Sequence, residues 1–239
     1  MLTSKQFGFL REKLSTTVAL MHFTDTILKN MDDNKITGVV FVDLSKAFDA
    51  VDHTLLLEKL KTFGFTDHVT DWFKSYLSDR SQITCVDSKS SSLMDISIGV
   101  PQGSVLGPLL FNMYVNDLPK NLKTCEIIMY ADNTVLYYSS SSVHDIEQQL
   151  NNELKRVVDW FNTNLLTLNN KKTNFMLIGG SQKLKSCTDL LITIENATLD
   201  RLHSTKYLGV TINQNMTWVD HVDTIVSKSM QRIGLLIML

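Results

Sequence analysis

The chain contains 239 residues, of which 44% are hydrophobic and 20% are charged. This composition is typical of one globular domain, or of two small lobes that share a core, and it excludes a disordered tail, a collagen and a disulfide-stapled miniprotein. The formal net charge is −2, so the overall electrostatics do not indicate a nucleic-acid-binding protein.

Helices and short strands alternate along the first half of the chain. Hydrophobic periodicity and turn residues predict, in chain order, a helix over 15–32, a buried strand over 37–43, helices over 52–63 and 67–77, and strands over 81–86 and 93–100. Gly64 is a suitable C-cap for the second helix, and the buried strand ends at Asp43.

The second half of the chain is mixed as well. Ser104 is a suitable N-cap for a helix that carries Pro108 in its first turn, where the missing N–H costs little. The remaining predicted elements are a hairpin of strands over 126–130 and 134–138, a helix over 143–162, strands near 173–178, 190–194 and 206–212, and a last helix from about residue 217. The mixture predicts an α+β architecture without internal repeats.

Two carboxylates stand where predicted apolar strands end: Asp43 follows the first strand, and Asp132 lies in the turn of the hairpin. If these strands are neighbours in one sheet, both carboxylates emerge at the same edge, where a divalent cation relieves their repulsion. Oxygen ligands favour Mg²⁺ or Mn²⁺, and paired ions can activate a hydroxyl and stabilise a leaving phosphate. The positions alone favour a simpler interpretation, in which Asp43 ends a strand and Asp132-Asn133 is an ordinary turn pair.

All three prolines lie between positions 101 and 119, and the glycine- and proline-rich stretch over 99–111 predicts a turn that opens a helix. Gly103 would let a ligand approach the backbone, and Gln102 offers a neutral hydrogen-bonding group beside it. A tight turn with a capped helix explains the same residues without a ligand. The order of features is the stronger signal, because a strand ending in aspartate, this turn and a Tyr-Ala-Asp hairpin follow one another.

This order resembles the reverse transcriptases of non-LTR (LINE-type) retrotransposons, and the resemblance covers nearly the whole chain. The matching segments are 6–9 with 15–17 (fingers segment), 41–53 (motif A), 72–82 (the helix and strand after it), 99–111 with 116–119 (motif B), 130–133 (motif C), 168–173 (motif D) and 206–210 (motif E). Each string is short, but together and in the family's order they are specific.

The resemblance implies an RNA-directed DNA polymerase that adds deoxynucleotides to a primer 3′-hydroxyl by two-metal phosphoryl transfer. Its implied partners are an RNA template, a DNA primer and deoxynucleoside triphosphates. The implied fold is an α+β right hand, whose palm is a ferredoxin-like antiparallel sheet with packed helices. The implied segments are partial fingers over 1–36, palm motif A over 37–51, fingers over 52–98, palm motifs B to E over 99–215, and the start of a truncated thumb over 216–239.

The resemblance also implies roles for individual residues. The catalytic set would be Asp43, Asp132, Asn133 and Lys172, with Asp43 and Asp132 binding two Mg²⁺ or Mn²⁺ ions and Lys172 as the candidate proton donor to pyrophosphate. The nucleotide would contact Leu44 (through its backbone carbonyl), Phe48 (as a steric gate against a 2′-hydroxyl), Gln102, Gly103 and Tyr130. The primer end would contact Tyr207, Leu208 and Gly209. The residues alone are equally explained as a buried aromatic at Phe48, a solvated lysine at Lys172, and a plain strand and turn over 207–209.

The sequence departs from the family in motif C, which normally reads Tyr-Ala-Asp-Asp and here ends in Asn133. An amide keeps a metal-binding oxygen but lacks the full negative charge, so we expect a deep loss of activity. The match does not include the basic residues that the family carries upstream. The chain has 23 Lys and Arg against 25 Asp and Glu, and this charge balance predicts weak binding to nucleic-acid duplexes. The alternative is an impaired or inactive remnant that acts at most as a nucleic-acid-binding or protein-interaction module.

Signals for secretion or membrane insertion are missing from the sequence. The N-terminal residues are too polar for a signal peptide, and no apolar run reaches the about 20 residues that span a bilayer. The three cysteines form no Cys-x-x-Cys pair and no zinc spacing. We expect an intracellular protein, cytoplasmic or nuclear, without membrane partners. The apolar run over 233–239 predicts a helix through which the chain self-associates.

Overall fold

The computed structural model describes residues 1–9, 15–187, 190–195 and 197–237, with side chains up to Ile233 in the last helix. The helices are α1 (Thr16–Asp32), α2 (His53–Thr62), α3 (Asp67–Leu77), α4 (Leu106–Tyr114), α5 (Val143–Thr163), α6 (Ser181–Leu184) and α7 (Val219–Ile237), with a 3₁₀ turn over Leu118–Asn121. The strands are β1 (Ile36–Val42), β2 (Arg80–Gln82), β3 (Cys85–Val86), β4 (Lys89–Ser90), β5 (Met94–Ile96), β6 (Glu126–Tyr130), β7 (Asn133–Ser140), β8 (Asn174–Ile178), β9 (Thr193–Ile194), β10 (Ala197–Thr198), β11 (Asp200–Arg201), β12 (Ser204–Tyr207) and β13 (Val210–Asn213). The predicted mixture of helices and strands is confirmed.

A five-stranded sheet in the order β11-β8-β1-β7-β6 organises the fold. Its pairs are antiparallel, except that β11 runs parallel to β8. The central strand β1 pairs with β7 from Ile36↔Ser140 to Val42↔Thr134, and with β8 on its other side. Because β1 has neighbours on both edges and layers on both faces, its sequence is an almost continuous apolar run rather than an alternating one.

Side chains that alternate along the strands enter two separate cores, as the period of two requires. One core holds Val40, Leu136 and Ile127 together with Leu56 of α2, Leu110 of α4 and Leu150 of α5. The other core holds Val39, Val135 and Ile128 together with Phe23 and Ile27 of α1 and Ile212 of β13. The sheet is therefore sandwiched between three helices on one face and a helix with a hairpin on the other.

Helix α5 lies very close to the sheet where it crosses Gly38. A Cβ atom at Gly38 would lie 2.4 Å from Ile146 Cγ2 and 2.7 Å from Leu150 Cδ1. Real Cβ atoms do not tolerate such distances, so a larger residue here would force the Ile146 and Leu150 side chains, or α5 itself, to shift. The glycine inside a strand of otherwise β-branched and aromatic residues is thus explained by close packing.

Several predicted helices are confirmed. Helix α1 follows Ser15, whose side chain accepts a hydrogen bond from the Val18 N–H, and α3 covers the predicted residues. Helix α4 starts at Leu106, slightly later than predicted, yet Ser104 Oγ accepts a hydrogen bond from the Gly107 N–H at 2.9 Å. The N-cap is therefore Val105 rather than the predicted Ser104, although Ser104 Oγ still bonds a backbone N–H of the first turn.

The prediction of two continuous strands over 81–86 and 93–100 was wrong. Instead, β2 pairs with β5 and β3 with β4, which leaves a broken ribbon with a tight turn at Asp87 and Ser88, both of positive φ. We call residues 80–96 the ribbon. Most of its residues are exposed, so no packed layer holds its two strands in one regular ladder.

The single strand predicted over 206–212 is also corrected. The structure has a hairpin of β12 and β13, closed by Leu208 and Gly209 with φ values of 46° and 92°. Both central residues have positive φ, which is the turn geometry that matches the twist of two antiparallel strands. The strand predicted over 190–194 is reduced to β9 (Thr193–Ile194).

Helix α7 carries an exposed apolar side. Val222, Val226, Met230 and Ile233 are each at least half exposed. Of the predicted self-associating run over 233–239, residues 238 and 239 lie outside the described residues, and so do the side chains beyond Ile233. Among the helices that are described, none combines the length and the hydropathy that crossing a membrane requires.

Candidate active site

The structure places Asp43 and the turn of the β6–β7 hairpin side by side. Val42, the last residue of β1, pairs with Thr134, so one further step along the register brings Asp43 opposite Asn133. Tyr130 pairs with Asn133 across the hairpin, and Ala131 and Asp132 form the two-residue turn between them. Asp43, Asp132 and Asn133 therefore meet at one end of the central sheet, as the sequence predicts when these strands are neighbours.

The backbone around Asp43 is fixed by the segment that precedes β8. The Asp43 N–H donates to Thr173 Oγ1 at 3.2 Å, and the Asp43 carbonyl accepts from the Asn169 N–H at 2.9 Å. The Ser45 N–H donates to the Thr167 carbonyl at 2.8 Å. These bonds hold the residues around Lys172 next to the end of β1, although more than a hundred residues separate the two segments.

A polar cleft opens beside this end of the sheet. It is lined by Asp43, Asn133, Lys172, Asn174, Lys206 and Tyr207, among others. Lys172 and Lys206 are exposed, so their ammonium groups are free to meet a charged ligand. Lys206 was not among the residues singled out from the sequence, although it stands directly before the predicted primer-binding string. That Lys206 lines the cleft is evident only from the tertiary structure, which brings the end of β12 near the end of β1.

Tyr207 is buried, and its ring packs against Phe23 and Phe41 with centroid distances of 5.4 and 5.8 Å. Burial raises the pKa of its phenol, and its hydroxyl has no hydrogen-bond partner among the described residues. The turn residues Leu208 and Gly209 are more accessible than Tyr207. Of the residues predicted to bind the primer, Tyr207 therefore packs in the core beneath the turn, and Leu208 and Gly209 are accessible at the surface.

The turn that holds Gln102 and Gly103 is tied to the segment after β1. Gln102 Nε2 donates to Asp49 Oδ1 at 2.8 Å, and the Val100 N–H donates to the Phe48 carbonyl at 2.9 Å. A Cβ at Gly99 would lie 2.8 Å from the Asp49 carbonyl oxygen. The structure thus joins the predicted nucleotide-binding residues Phe48, Gln102 and Gly103 in one surface region.

Three of the predicted nucleotide-binding residues differ in how much of their side chain is available. The half-buried Phe48 ring stacks on Phe111 with a centroid distance of 4.6 Å, and Tyr130 is half-buried on the hairpin. The Leu44 side chain belongs to the core, so only its backbone is available at the site. The role that the resemblance implies for its carbonyl stays a prediction.

The donor set fits a divalent cation such as Mg²⁺ or Mn²⁺. Among the described residues, no hydrogen bond or ion pair occupies the carboxylate of Asp43 or Asp132. The same residues contain no group of three or more His, Cys, Asp or Glu side chains arranged so that they could hold a metal ion. Two carboxylates with backbone and amide oxygens suit Mg²⁺, which keeps several waters and binds substrate phosphates rather than a closed protein cage.

The chain that carries this site is similar in sequence to known proteins. The family described as reverse transcriptase (RNA-dependent DNA polymerase) matches residues 2–212. The chain is 32% identical to a probable RNA-directed DNA polymerase from transposon BS of Drosophila melanogaster, over 97% of this chain and 26% of that protein. It is 31% identical to the RNA-directed DNA polymerase from mobile element jockey of the same species, over 92% of this chain and 24% of that protein. The chain thus spans about a quarter of the length of the curated relatives it matches.

Solved structures show a related fold. Apo telomerase from Candida tropicalis, truncated from its C-terminal domain, aligns with a TM-score of 0.56 at 11% identity, over 90% of this chain and 40% of that chain. Telomerase from Candida albicans in complex with a fragment of telomeric RNA aligns with a TM-score of 0.54 at 14% identity, over 88% of this chain and 33% of that chain. At these identities the similarity concerns the fold alone.

Proposed function

Because this chain belongs to the reverse transcriptase (RNA-dependent DNA polymerase) family and matches members from non-LTR retrotransposons, we propose that it is the palm with part of the fingers of an RNA-directed DNA polymerase. Its substrates would be deoxynucleoside triphosphates, a DNA primer and an RNA template. The observation that supports this most is that strand pairing brings Asp43 and the turn with Asp132 to the same end of the sheet, beside a cleft lined by Asp43, Asn133 and Lys172.

The proposed reaction is attack of the primer 3′-hydroxyl on the α-phosphate, with departure of pyrophosphate. Asp43 and Asp132 would hold two divalent ions, which when bound would supply activation of the hydroxyl and neutralisation of phosphate charge. Lys172 would donate a proton to the pyrophosphate as it leaves. Positioning and electrostatics account for most of the catalysis in such phosphoryl transfers.

The proposed nucleotide pocket is formed by the region that joins Phe48 to Gln102 and Gly103. The Phe48 ring, fixed by stacking on Phe111, would exclude a 2′-hydroxyl by steric contact. Gly103 is exposed with φ of 80°, and no atom lies within 4 Å of a Cβ built there, so a base or sugar can approach its backbone. The outward-facing turn at Leu208 and Gly209 would contact the primer.

A second candidate function rests on Asn133. This exposed amide lies opposite Asp43 and lacks the charge that the family's usual aspartate brings to the site. A site with less negative charge binds a hard dication more weakly. In the second candidate, the chain therefore folds and binds nucleic acid but does not extend primers.

Primer extension on poly(rA) with Mg²⁺ or Mn²⁺ separates the two candidates. We expect slow extension by the unmodified chain, at least about tenfold faster extension by Asn133→Asp, and none by Asp43→Ala. Asp95→Ala, which removes an exposed carboxylate from the ribbon, is the matched control and should leave the rate unchanged. If neither the unmodified chain nor Asn133→Asp extends primers while RNA is still bound, the second candidate replaces the first.

A further inference from the structure

A buried glutamine from the N-terminal segment reaches the tip of the β6–β7 hairpin. Residues 5–7 run beside β6, because the Phe7 N–H donates to the Met129 carbonyl at 2.8 Å and the Met129 N–H donates to the Lys5 carbonyl at 2.9 Å. Gln6 is 0% exposed. A fully buried polar side chain is costly unless it forms hydrogen bonds, and here Gln6 Oε1 accepts two of them while Gln6 Nε2 has no partner among the described residues.

The Gln6 side chain holds two backbone amides with one oxygen. Gln6 Oε1 accepts from the Gly8 N–H at 2.9 Å and from the Ala131 N–H at 3.0 Å. Ala131 is the first residue of the two-residue turn, and Asp132 is the second. The amide that precedes the candidate metal-binding aspartate is therefore bonded to a side chain 125 positions away in sequence.

This turn needs support from its surroundings. Ala131 has φ of 55°, a left-handed conformation that is uncommon and strained for a residue with a Cβ. Ala131 is also buried, so water does not solvate its N–H, and losing a protein acceptor would leave a buried donor unpaired. Gln6 Oε1 supplies that acceptor.

The support extends from the turn to helix α4. Asn112 on α4 is buried and donates from Nδ2 to the Gly8 carbonyl at 2.7 Å. A Cβ at Gly8 would lie 2.6 Å from the Ala131 nitrogen, so the loop approaches the hairpin as closely as a glycine permits. A chain of contacts thus runs from α4 through Gly8 and Gln6 to the turn that carries Asp132.

We propose that Gln6 is a positioning residue for Asp132, because it fixes the left-handed turn at Ala131 and with it the direction of the Asp132 carboxylate. The proposal rests on the proposed metal site at Asp43 and Asp132, and it adds a residue from the N-terminal segment to that site's supporting structure. Mutation of residues that hydrogen-bond to metal ligands and orient them commonly lowers the affinity for the metal.

Hydrogen exchange and metal binding of Gln6→Leu test the proposal on the full chain. Loss of Oε1 should speed exchange of the Ala131 amide about tenfold or more, because this bond no longer protects it. The dissociation constant for Mn²⁺, measured by titration after subtraction of the Asp43→Ala signal, should rise about tenfold. Gly8→Ala, which pushes directly on the Ala131 nitrogen, should produce the same two changes through a different atom.

Asn164→Leu is the matched control, because Asn164 is also a buried amide and its Nδ2 donates to the Trp160 carbonyl, away from the hairpin. It should destabilise the fold without changing Ala131 exchange or Mn²⁺ affinity. Unchanged Ala131 exchange in Gln6→Leu, or faster exchange with unchanged Mn²⁺ affinity, would overturn the positioning role. If the unmodified chain fails to bind Mn²⁺ at all, the proposed metal site fails, while Ala131 exchange still decides whether Gln6 fixes the turn.

Discussion

The central sheet and the ribbon contain similar apolar residues but bury them very differently. Leu136 on β7 is fully buried between β1 and β6, whereas Leu93 in the ribbon is 67% exposed. The sheet has helices on one face and α1 with a hairpin on the other, whereas no element among the described residues forms such a layer over the ribbon. The comparison teaches that residue type alone does not create a core, because burial requires a second element to pack against.

This difference also explains where the candidate site lies. Asp43 and the β6–β7 turn are held by strand pairing, by the segment before β8 and by Gln6, so their backbones have little freedom. The ribbon is held chiefly by its own local pairs. A site that must hold ligand atoms in fixed positions is best built on the more constrained of the two regions.

The largest expected contrast comes from the same substitution in both regions. Leu136→Ala should lower the free energy of unfolding by about 2–5 kcal/mol, since it removes buried methyl groups and leaves a cavity in the sheet core. Leu93→Ala should change it by less than about 0.5 kcal/mol, because an exposed side chain loses little on truncation. Urea denaturation followed by circular dichroism measures both. Equal effects at the two positions would refute the distinction between sheet and ribbon.

A smaller contrast is expected between two lysines of α2. Lys59 Nζ donates to Asp117 Oδ1 at 2.6 Å and to the Tyr114 carbonyl at 2.7 Å, and its partial burial lowers the pKa of its ammonium group. Lys59→Met should therefore cost about 2 kcal/mol of stability, because it leaves the Tyr114 carbonyl and Asp117 without this partner.

The matched substitution is Lys61→Met on the same helix. Lys61 forms an ion pair with Asp67 at 3.0 Å, but both side chains are largely exposed, so solvent screens the attraction. We expect no measurable change in the denaturation midpoint for this variant. A loss comparable to that of Lys59→Met would show that burial does not decide the strength of these pairs.

The smallest expected effect is the pH dependence due to a tyrosine of the sheet. Burial raises the pKa of Tyr137 to about 12 from the usual value of 10.0. Above pH 10 the unfolded chain loses this proton before the folded chain does, so the stability contribution present below pH 10 is lost as the pH rises towards 12. At pH 11 the loss is on the order of 1 kcal/mol.

Tyr137→Phe should remove this part of the alkaline destabilisation. Tyr114 and Cys125, whose pKa values burial also raises to about 12, contribute with the same sign and remain in the variant. The comparison is therefore the difference in unfolding free energy between the variant and the unmodified chain at pH 8 and pH 11. If that difference is the same at both pH values, Tyr137 does not titrate differently in the folded and unfolded states.

Features that depend on neighbouring residues were predicted well. The periodicity of α1, the bounds of α3 and the strand that runs up to Asp43 follow from interactions within a few positions of each residue. The paired turn at Ala131 and Asp132 was predicted for the same reason, since two apolar strands so close in sequence form a hairpin. The family itself was identified from the order of short strings.

Features that depend on distant contacts were not predicted. The sequence does not reveal that Asp117 meets Lys59, that Tyr207 is buried against Phe23, or that Gln6 reaches Ala131. The break in the ribbon was missed because its residues have strand propensity, while the missing layers that would stabilise longer strands are a property of the whole fold.

The sequence by itself therefore determined the long helices, four of the five strands of the central sheet and the residues available for chemistry. Only the tertiary structure decided which of these residues meet, how the turn before Asp132 is supported and which lysines line the cleft. The physical reason is that helix caps, periodicity and turns act over a few residues, whereas packing joins surfaces whose separation along the chain carries no local signal.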